Sequence, residues 1–280
     1  MPVDLHLHST ASDGADSPAA LMDLAAAEGV TTAALTDHDT LAGIAEASER
    51  AGELGIRLIP GIELSVDHRG AKLHMLVYFT EPGQGPLNDR LEGLLRGRDE
   101  RNRTIVSRLN ELGYGIALTD VLARAGGPSV GRPHIADALI DAGYFDSRNE
   151  AFEHLLHDGG PAYVERARLT AIEAIGLATE QGAVAVVAHP ATIALDAEGY
   201  SRLFRELADA GLGGIEAYHS MHHLELREHL AKLAHGLGMA ATGGSDYHGI
   251  DTRTYRIRTG NGDLRIPDRV VEELDAAREH

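Results

Sequence analysis

Seven short apolar segments, each carrying a side chain able to do chemistry, set the frame of this chain: "VDLHLH" (3–8), "TAALTDHD" (32–39), "RLIPGIELS" (57–65), "KLHMLVYF" (72–79), "AVAVVAH" (183–189), "GGIEAYH" (213–219) and "GMAATGGSDYH" (238–248). Helical patterns separate most of them. After the first comes "SPAALMDLAAAEG", with Ser17 placed as N-cap, Pro18 at the first helical position and Gly29 at the stop. "LAGIAEASERAGELG" fills the second gap. Strand and helix in alternation predict an α/β protein built on a parallel sheet or barrel, whose reactive side chains gather at the C-terminal ends of the strands.

The rhythm breaks once. About 100 residues separate the fourth segment from the fifth, whereas a βαβ crossover needs about 30. The surplus predicts a helical insertion over 82–160, capping a barrel made of 1–81 and 161–280. It contains a long helix through "PLNDRLEGLLRGRDERNRTIVSRLNELG" and shorter ones in "LTDVLARAGG", "RPHIADALIDAG" and "SRNEAFEHLLHDGG". Ser147 with Glu150, and Thr170 with Glu173 where the barrel resumes, stand at capping-box spacing.

In "DLHLHST", His6 and His8 are two residues apart on a strand, so both imidazoles point to one face. Such a pair is either packed in a core or holds a metal. The rest of the chain decides between these: Asp13 follows just after the first segment, and the other segments add His38, Glu63, His74, His189, Asp246 and His248. Any one of these taken singly is as easily a core or surface residue. Together, at strand ends that a closed sheet brings to one rim, they exceed the four ligands of a single zinc site and imply more than one metal. The chain has no Cys, so nitrogen and oxygen must hold any metal, which suits Mn, Fe or Zn. A formal net charge of −18 argues against a protein that coats nucleic acid through a broad basic surface. No apolar run approaches a membrane span and the N-terminus does not read as a signal peptide, which predicts a cytoplasmic protein without membrane contact.

"DLHLHSTASDG", "LTDHDT", "GIELS", "HP" at 189–190 and "GSDYHG" resemble, in order, the motifs of the PHP (polymerase and histidinol phosphatase) superfamily. With "RNRTIVSRLNELG" and "SVGRPHIADALI" in the insertion, the chain is similar to stand-alone members that act on 3′,5′-nucleoside bisphosphates, some of which also trim short RNA from the 5′ end. The resemblance implies a distorted (β/α)7 barrel and two to three divalent metal ions. It implies that His6, His8, Glu63 and Asp246 hold one metal and Asp13, His38 and His248 a second, with Glu63 bridging to a third held by His74 and His189. Asp13 stands where many members have a histidine.

Two to three divalent ions against the carboxylates of Asp13, Glu63 and Asp246 leave a filled site cationic, and phosphate is the ligand it attracts. For substrate, "PSVGRPH" offers the Ser129 hydroxyl, the Arg132 guanidinium and a helix N-terminus, with His134 in its first turn. Resemblance adds Asn102; Arg98 and Arg101 beside it stay open. His219 at the end of the sixth segment faces the rim, either backing a metal ligand or touching substrate, where it could protonate a leaving oxygen, and Asp37 is placed to orient a ligand histidine. His154, His157, His222 and His223 read as surface or packing residues. Glu63, Asp246 and His219 are the expected catalytic groups.

These features predict a metal-dependent phosphoesterase that removes the 3′-phosphate of nucleoside 3′,5′-bisphosphates, releasing 5′-mononucleotides, with short RNA as a further substrate and no obligatory protein partner. The alternatives are a histidinol-phosphate phosphatase, a non-catalytic or proofreading PHP module of a polymerase, and a metal-storage or sensing protein.

Overall fold

In the computed structural model, which describes residues 2–83, 85–249 and 255–279, the strands β1 (Val3–Leu7), β2 (Thr32–Leu35) and β3 (Arg57–His68) run parallel, linked by the helices α1 (Pro18–Ala27) and α2 (Ile44–Leu54). α1 begins as its sequence demands: the Ser17 hydroxyl accepts the Ala20 N–H at 3.2 Å, and Gly29, at φ 73°, turns the chain out of the helix.

The parallel order then reverses. Between β3 and β4 (Ala71–Tyr78) the chain makes a two-residue turn in which Arg69 and Gly70 both have positive φ, 53° and 83°, and Asp67 Oδ1 accepts the Gly70 N–H at 3.0 Å. That turn matches the twist of an antiparallel ribbon, so no crossover helix intervenes. β4 therefore runs antiparallel to both β3 and β6 (Val184–Ala188). His74 accordingly lies near the start of its strand, not at a C-terminal end; the reversal brings it level with Ser65 on β3 and Ala188 on β6.

Helices occupy the chain between β4 and β6: α3 (Pro86–Glu111), α4 (Leu118–Leu122), α5 (Arg132–Asp141), α6 (Arg148–Ala151), which runs on as a π turn to Leu156, and, after the short strand β5 (Leu169–Thr170), α7 (Ala171–Glu180). Thr170 and Glu173 close a reciprocal capping box, with Thr170 N–H to Glu173 Oε2 at 2.8 Å and Glu173 N–H to Thr170 Oγ1 at 3.1 Å. At α6 only half of that device forms: Ser147 accepts from Glu150 N–H, while the Glu150 carboxylate takes the Asp146 N–H. β5 was not expected from the sequence; it adds to β3 at Val66 and Asp67.

After β6 come α8 (Ala197–Asp209), β7 (Gly214–His219), α9 (Leu224–Gly236), β8 (Ala240–Gly244) and α10 (Arg269–Arg278). The main sheet follows the order β1-β2-β3-β4-β6-β7-β8, seven strands forming a nearly closed barrel. Closure is made by the residues just past β8: the Asp246 N–H donates to His6 O at 2.9 Å, and the His8 N–H to Tyr247 O at 3.0 Å. Gly244 permits this approach, since a Cβ there would sit 2.3 Å from the His6 Cβ.

Two apolar cores form. Leu5, Leu35, Ile59, Ile62, Met75 and Val186 belong to the barrel's; Ile105, Leu109, Val121, Ile135, Leu139 and Leu156 make a second among the helices that follow β4. α3 serves both, with Leu87 and Leu91 in the first and Ile105 and Leu109 in the second. The second unit presses against the loop that follows β1: a Cβ on Gly127 would stand 2.4 Å from Ala11 O, so only glycine fits.

Candidate metal centre and basic cleft

The strand ends expected to converge do so around Glu63. β3 outruns β2, which leaves Glu63 in mid-strand but level with the loop after β2, where it bridges to His38. Its two carboxylate oxygens face different partners. Oε2 lies 3.3 Å from His6 Nε2 and 3.1 Å from both His8 Nε2 and His38 Nδ1; Oε1 lies 2.8 Å from His74 Nδ1 and 3.0 Å from His189 Nε2. Asp246 Oδ1 completes the first side, 3.5 Å from His6 Nε2 and 3.3 Å from His8 Nε2. Across His8, Asp13 Oδ1 lies 3.9 Å from His38 Nε2 and 3.4 Å from His248 Nε2.

Four overlapping sets thus have ligand atoms within 4.8 Å of one another: His6, His8, Glu63 and Asp246; His8, Asp13, His38 and His248; His38, Glu63 and His74; and His6, Glu216 and His219. A donor set suited to divalent cations is present, and its hydrogen bonding fits one. Both ring nitrogens of His8, Nδ1 of His38 and of His74, and Oδ1 of Asp13 are buried and make no hydrogen bond although carboxylates or imidazoles lie nearby. A buried polar atom left so costs about 1–3 kcal/mol; lone pairs aimed past each other at a shared point are what two ligands of one cation present. Burial raises the Glu63 carboxyl, but His38, His74 and His6 outweigh it and hold it well below the usual range, so it is ionised.

One member of this constellation escaped the sequence reading. Glu216, inside β7, is fully buried; its Oε1 lies 2.9 Å from His6 Nδ1 and its Oε2 accepts the His189 N–H at 2.6 Å. Burial raises it, yet His6 and His219 outweigh that and bring it down to about 2. An acid in the middle of the apolar run "GGIEAYH" was the available signal.

The remaining expected positions follow. His219 takes the first of its two expected places: it is fully buried behind Asp246, with Nε2 3.7 Å from Asp246 Oδ2, and it does not line the cleft. Because His219 Nδ1 accepts the Met221 N–H at 3.1 Å, the neutral ring carries its proton on Nε2, toward Asp246. Asp37 touches no ligand histidine through a hydrogen bond; its carboxylate accepts from Ser9 N–H and from the Ser9 and Ser12 hydroxyls at 2.6–2.8 Å, fixing the loop that carries Asp13. His222 is buried against Ala217 O, His223 caps α9, and His154 and His157 are exposed.

A cleft of about 380 Å³ opens onto Asp13, His38, His74 and His189. Its walls carry Lys72, Arg98, Arg101, Arg132, Arg166 and Arg168. Asn102, Ser129 and His134 lie behind those walls. The Asn102 amide donates to Val130 O at 3.0 Å and its oxygen accepts from Arg101; Ser129 is buried; His134 turns Nδ1 inward to accept the Gly131 N–H at 2.9 Å, and burial lowers its pKa. The arginines left open by the sequence therefore reach the cleft, and the asparagine beside them holds one in place. Arg166 and Arg168, in "ERARL" ahead of β5, were missed because nothing in sequence joins them to "LTDHDT".

A nearly closed α/β barrel with His, Asp and Glu clusters at one rim, facing a cationic cleft, defines a metal-dependent hydrolase of phosphate esters. The chain belongs to the PHP domain family, whose model matches residues 4–239. It is 32% identical over 247 residues to the 3′,5′-nucleoside bisphosphate phosphatase of Chromobacterium violaceum, covering 88% of this chain and 87% of that one. It is 34% identical over 250 residues to the phosphoribosyl 1,2-cyclic phosphate 1,2-diphosphodiesterase of Eggerthella lenta (88% and 94%), and 35% over 248 residues to the 5′-3′ exoribonuclease of Haemophilus influenzae (88% and 89%). In structure it is similar to a Bifidobacterium adolescentis protein described as a metal-dependent phosphoesterase, with a TM-score of 0.88 and 30% identity over 98% of this chain and 96% of that one. Among the described residues no helix is long and apolar enough to cross a membrane.

Proposed function

We propose that this enzyme removes the 3′-phosphate of nucleoside 3′,5′-bisphosphates to give 5′-mononucleotides and phosphate, and that short 5′-phosphorylated RNA enters the same way, with stepwise release of mononucleotides. The observation that carries this is the continuity of the Glu63 cluster with a cleft lined by six cationic side chains: one phosphate needs only the first, and a substrate with two phosphates uses both. The named relatives span bisphosphate, cyclic phosphate and RNA substrates, and all three classes carry a ribose phosphate beside a second phosphate or ring.

His6, His8, Asp13, His38, Glu63, His74, His189, Asp246 and His248 would hold divalent cations, which when bound would offer charge to the phosphoryl oxygens and lower the pKa of a water near neutral pH. The chain's own residues do the remainder. Glu63 would hold cations through both of its oxygens, the His219 ring packs behind Asp246, and the cationic walls orient the substrate for in-line displacement. In this reading 82–160 is an insertion that caps a barrel of 1–81 and 161–280, and the enzyme takes two to three Mn, Fe or Zn ions.

The test is kcat/KM with Mn²⁺ for adenosine 3′,5′-bisphosphate, 3′-AMP, 5′-AMP, histidinol phosphate and phosphoribosyl 1,2-cyclic phosphate at equal concentration. The bisphosphate should lead. A lead for histidinol phosphate or the cyclic ester, or no advantage of the bisphosphate over 3′-AMP, overturns the assignment.

A further inference from the structure

Every other residue of the cluster stands on a strand or within four residues of a strand end; Asp13 stands six residues past β1, on a loop. Its Oδ1 is buried and makes no hydrogen bond, so the path of the loop decides where that atom points. The turn has no slack, since a Cβ on Gly14 would stand 2.4 Å from His8 O.

Two other segments fix this loop. At its start the Asp37 carboxylate takes the Ser9 N–H and the hydroxyls of Ser9 and Ser12. At its end Asp16 does two things: its carbonyl accepts the Thr10 N–H at 2.8 Å, closing the loop on itself, and its Oδ2 accepts the Tyr247 hydroxyl at 2.9 Å. Beside it the Ala15 N–H donates to His248 O at 2.8 Å. One hydrogen bond alone would let the end of the loop swing about that link; the second, from a buried hydroxyl, stops it.

Tyr247 lies between Asp246 and His248 in the chain. Its side chain packs in the barrel core, and its carbonyl accepts the His8 N–H at 3.0 Å. It therefore joins three members of one ligand set: His8 through its carbonyl, His248 through the chain, and Asp13 through Asp16. His248 is turned to match. Its Nδ1–H donates to Asp246 O at 3.0 Å, which leaves the Nε2 lone pair 3.4 Å from Asp13 Oδ1. Two ligands that each stand about 2.1 Å from one cation are separated by about that distance.

We propose that Tyr247 is a positioning residue for the cation position formed by His8, Asp13, His38 and His248, setting Asp13 against His248 through its hydroxyl on Asp16. This rests on the reading of the cluster as a cation centre. Tyr247 and Asp16 belong to none of the ligand sets and do not line the cleft, so they act through the loop. The sets that do not include Asp13 take their ligands from strands and strand ends and do not depend on this bond.

The test is Mn²⁺ binding to the full chain by competition with a chelator, with amide exchange over residues 9–16 followed in the metal-free protein. Tyr247→Phe keeps the ring and removes the donor. It should weaken one class of Mn²⁺ sites about tenfold or more, leave the rest within about threefold, and speed exchange in the loop. Asp16→Ala should do the same, whereas Asp16→Asn, which keeps an acceptor oxygen, should bind as the wild type does. In an Asp13→Ala background, Tyr247→Phe should cost the remaining sites nothing further, because the position it serves is already lost. Asp16 is part-exposed, so its two variants carry the test if Tyr247→Phe does not fold. Equal weakening of all sites, a further loss in the Asp13→Ala background, or wild-type binding by Asp16→Ala overturns the assignment. If exchange quickens in the variants but the wild type takes up no cation, the fastening of the loop stands and the cation reading of the cluster fails.

Discussion

Nδ1 of His6 lies 2.9 Å from Oε1 of Glu216, and the other oxygen of that carboxylate holds the backbone N–H of His189. One buried acid thus sets the ring angle of a histidine on β1 and the backbone of another beyond β6, and it leaves His6 Nε2 facing the cluster.

Glu216→Gln keeps the size and removes the charge that favours this ring orientation. Loss of such a partner costs about 10–100-fold in metal affinity. Titration of the variant against a competing chelator should show that loss, with the barrel still folded by circular dichroism. Affinity equal to wild type would mean that His6 is oriented without Glu216.

Glu63→Gln removes the group whose two oxygens face opposite sides of the cluster. Metal content per chain and kcat should both fall, because the amide cannot neutralise two cation positions. Unchanged stoichiometry by plasma emission analysis would move the centre away from Glu63.

The metal-free protein should lose stability as pH rises. Burial lowers the pKa of His8, but the carboxylates of Asp246 and Glu63 outweigh it and raise it from 6.5 to about 9. A folded pKa above the unfolded value contributes stability that is fully present below 6.5 and is lost as pH climbs through 9. Chelator-treated enzyme should therefore melt at falling temperature between those limits, and Mn²⁺ should restore it most at the alkaline end, since cations displace that proton. A flat profile without metal would contradict this.

Asp39→Asn strands the buried guanidiniums of Arg98 and Arg166. Breaking such a pairing costs about 3–5 kcal/mol, so the melting temperature should drop well below that of wild type. Inorganic phosphate should raise the variant's melting temperature more than the wild type's, because the anion replaces the missing charge. Equal phosphate effects on both would argue that Asp39 carries only a local packing role.

Gly127→Ala should cost the position formed by His8, Asp13, His38 and His248 before the others. The added Cβ meets Ala11 O at 2.4 Å, and the loop that must yield carries Asp13. Metal content should fall by a fraction of the total while the remaining sites still bind; intact stoichiometry would show that the loop yields without moving Asp13.

Much of the candidate cluster's convergence was legible because strands declare themselves by apolar runs, and polar residues that end such runs have few other places to go. His6, His8, His38, His189, Asp246 and His248 were found that way. Glu216 was not, since it lies inside β7 and looked like an interruption. The reversal of β4 hinges on Arg69 and Gly70, a turn with no strong dipeptide signal, and His74 reached the rim by that route. The cleft was read least well, for the reason that Asp39 and Arg166 are 127 residues apart; a pairing of that span leaves no local trace, whereas Ser129 and His134 offered a helix start whose polar atoms the fold turned inward.

The barrel closes between the first strand and the residues just past the last, with Asp246 N–H on His6 O. Asp246 and His248 complete two of the four ligand sets, so during synthesis those sets stay open until residue 248 has left the ribosome. An emerging chain can offer His38, Glu63 and His74 early, but its full grip on cations waits for Asp246 and His248. Metal loading is in that sense a report on barrel closure: a product that stops short of residue 246 retains most of the histidines and cannot assemble the site they were folded to build.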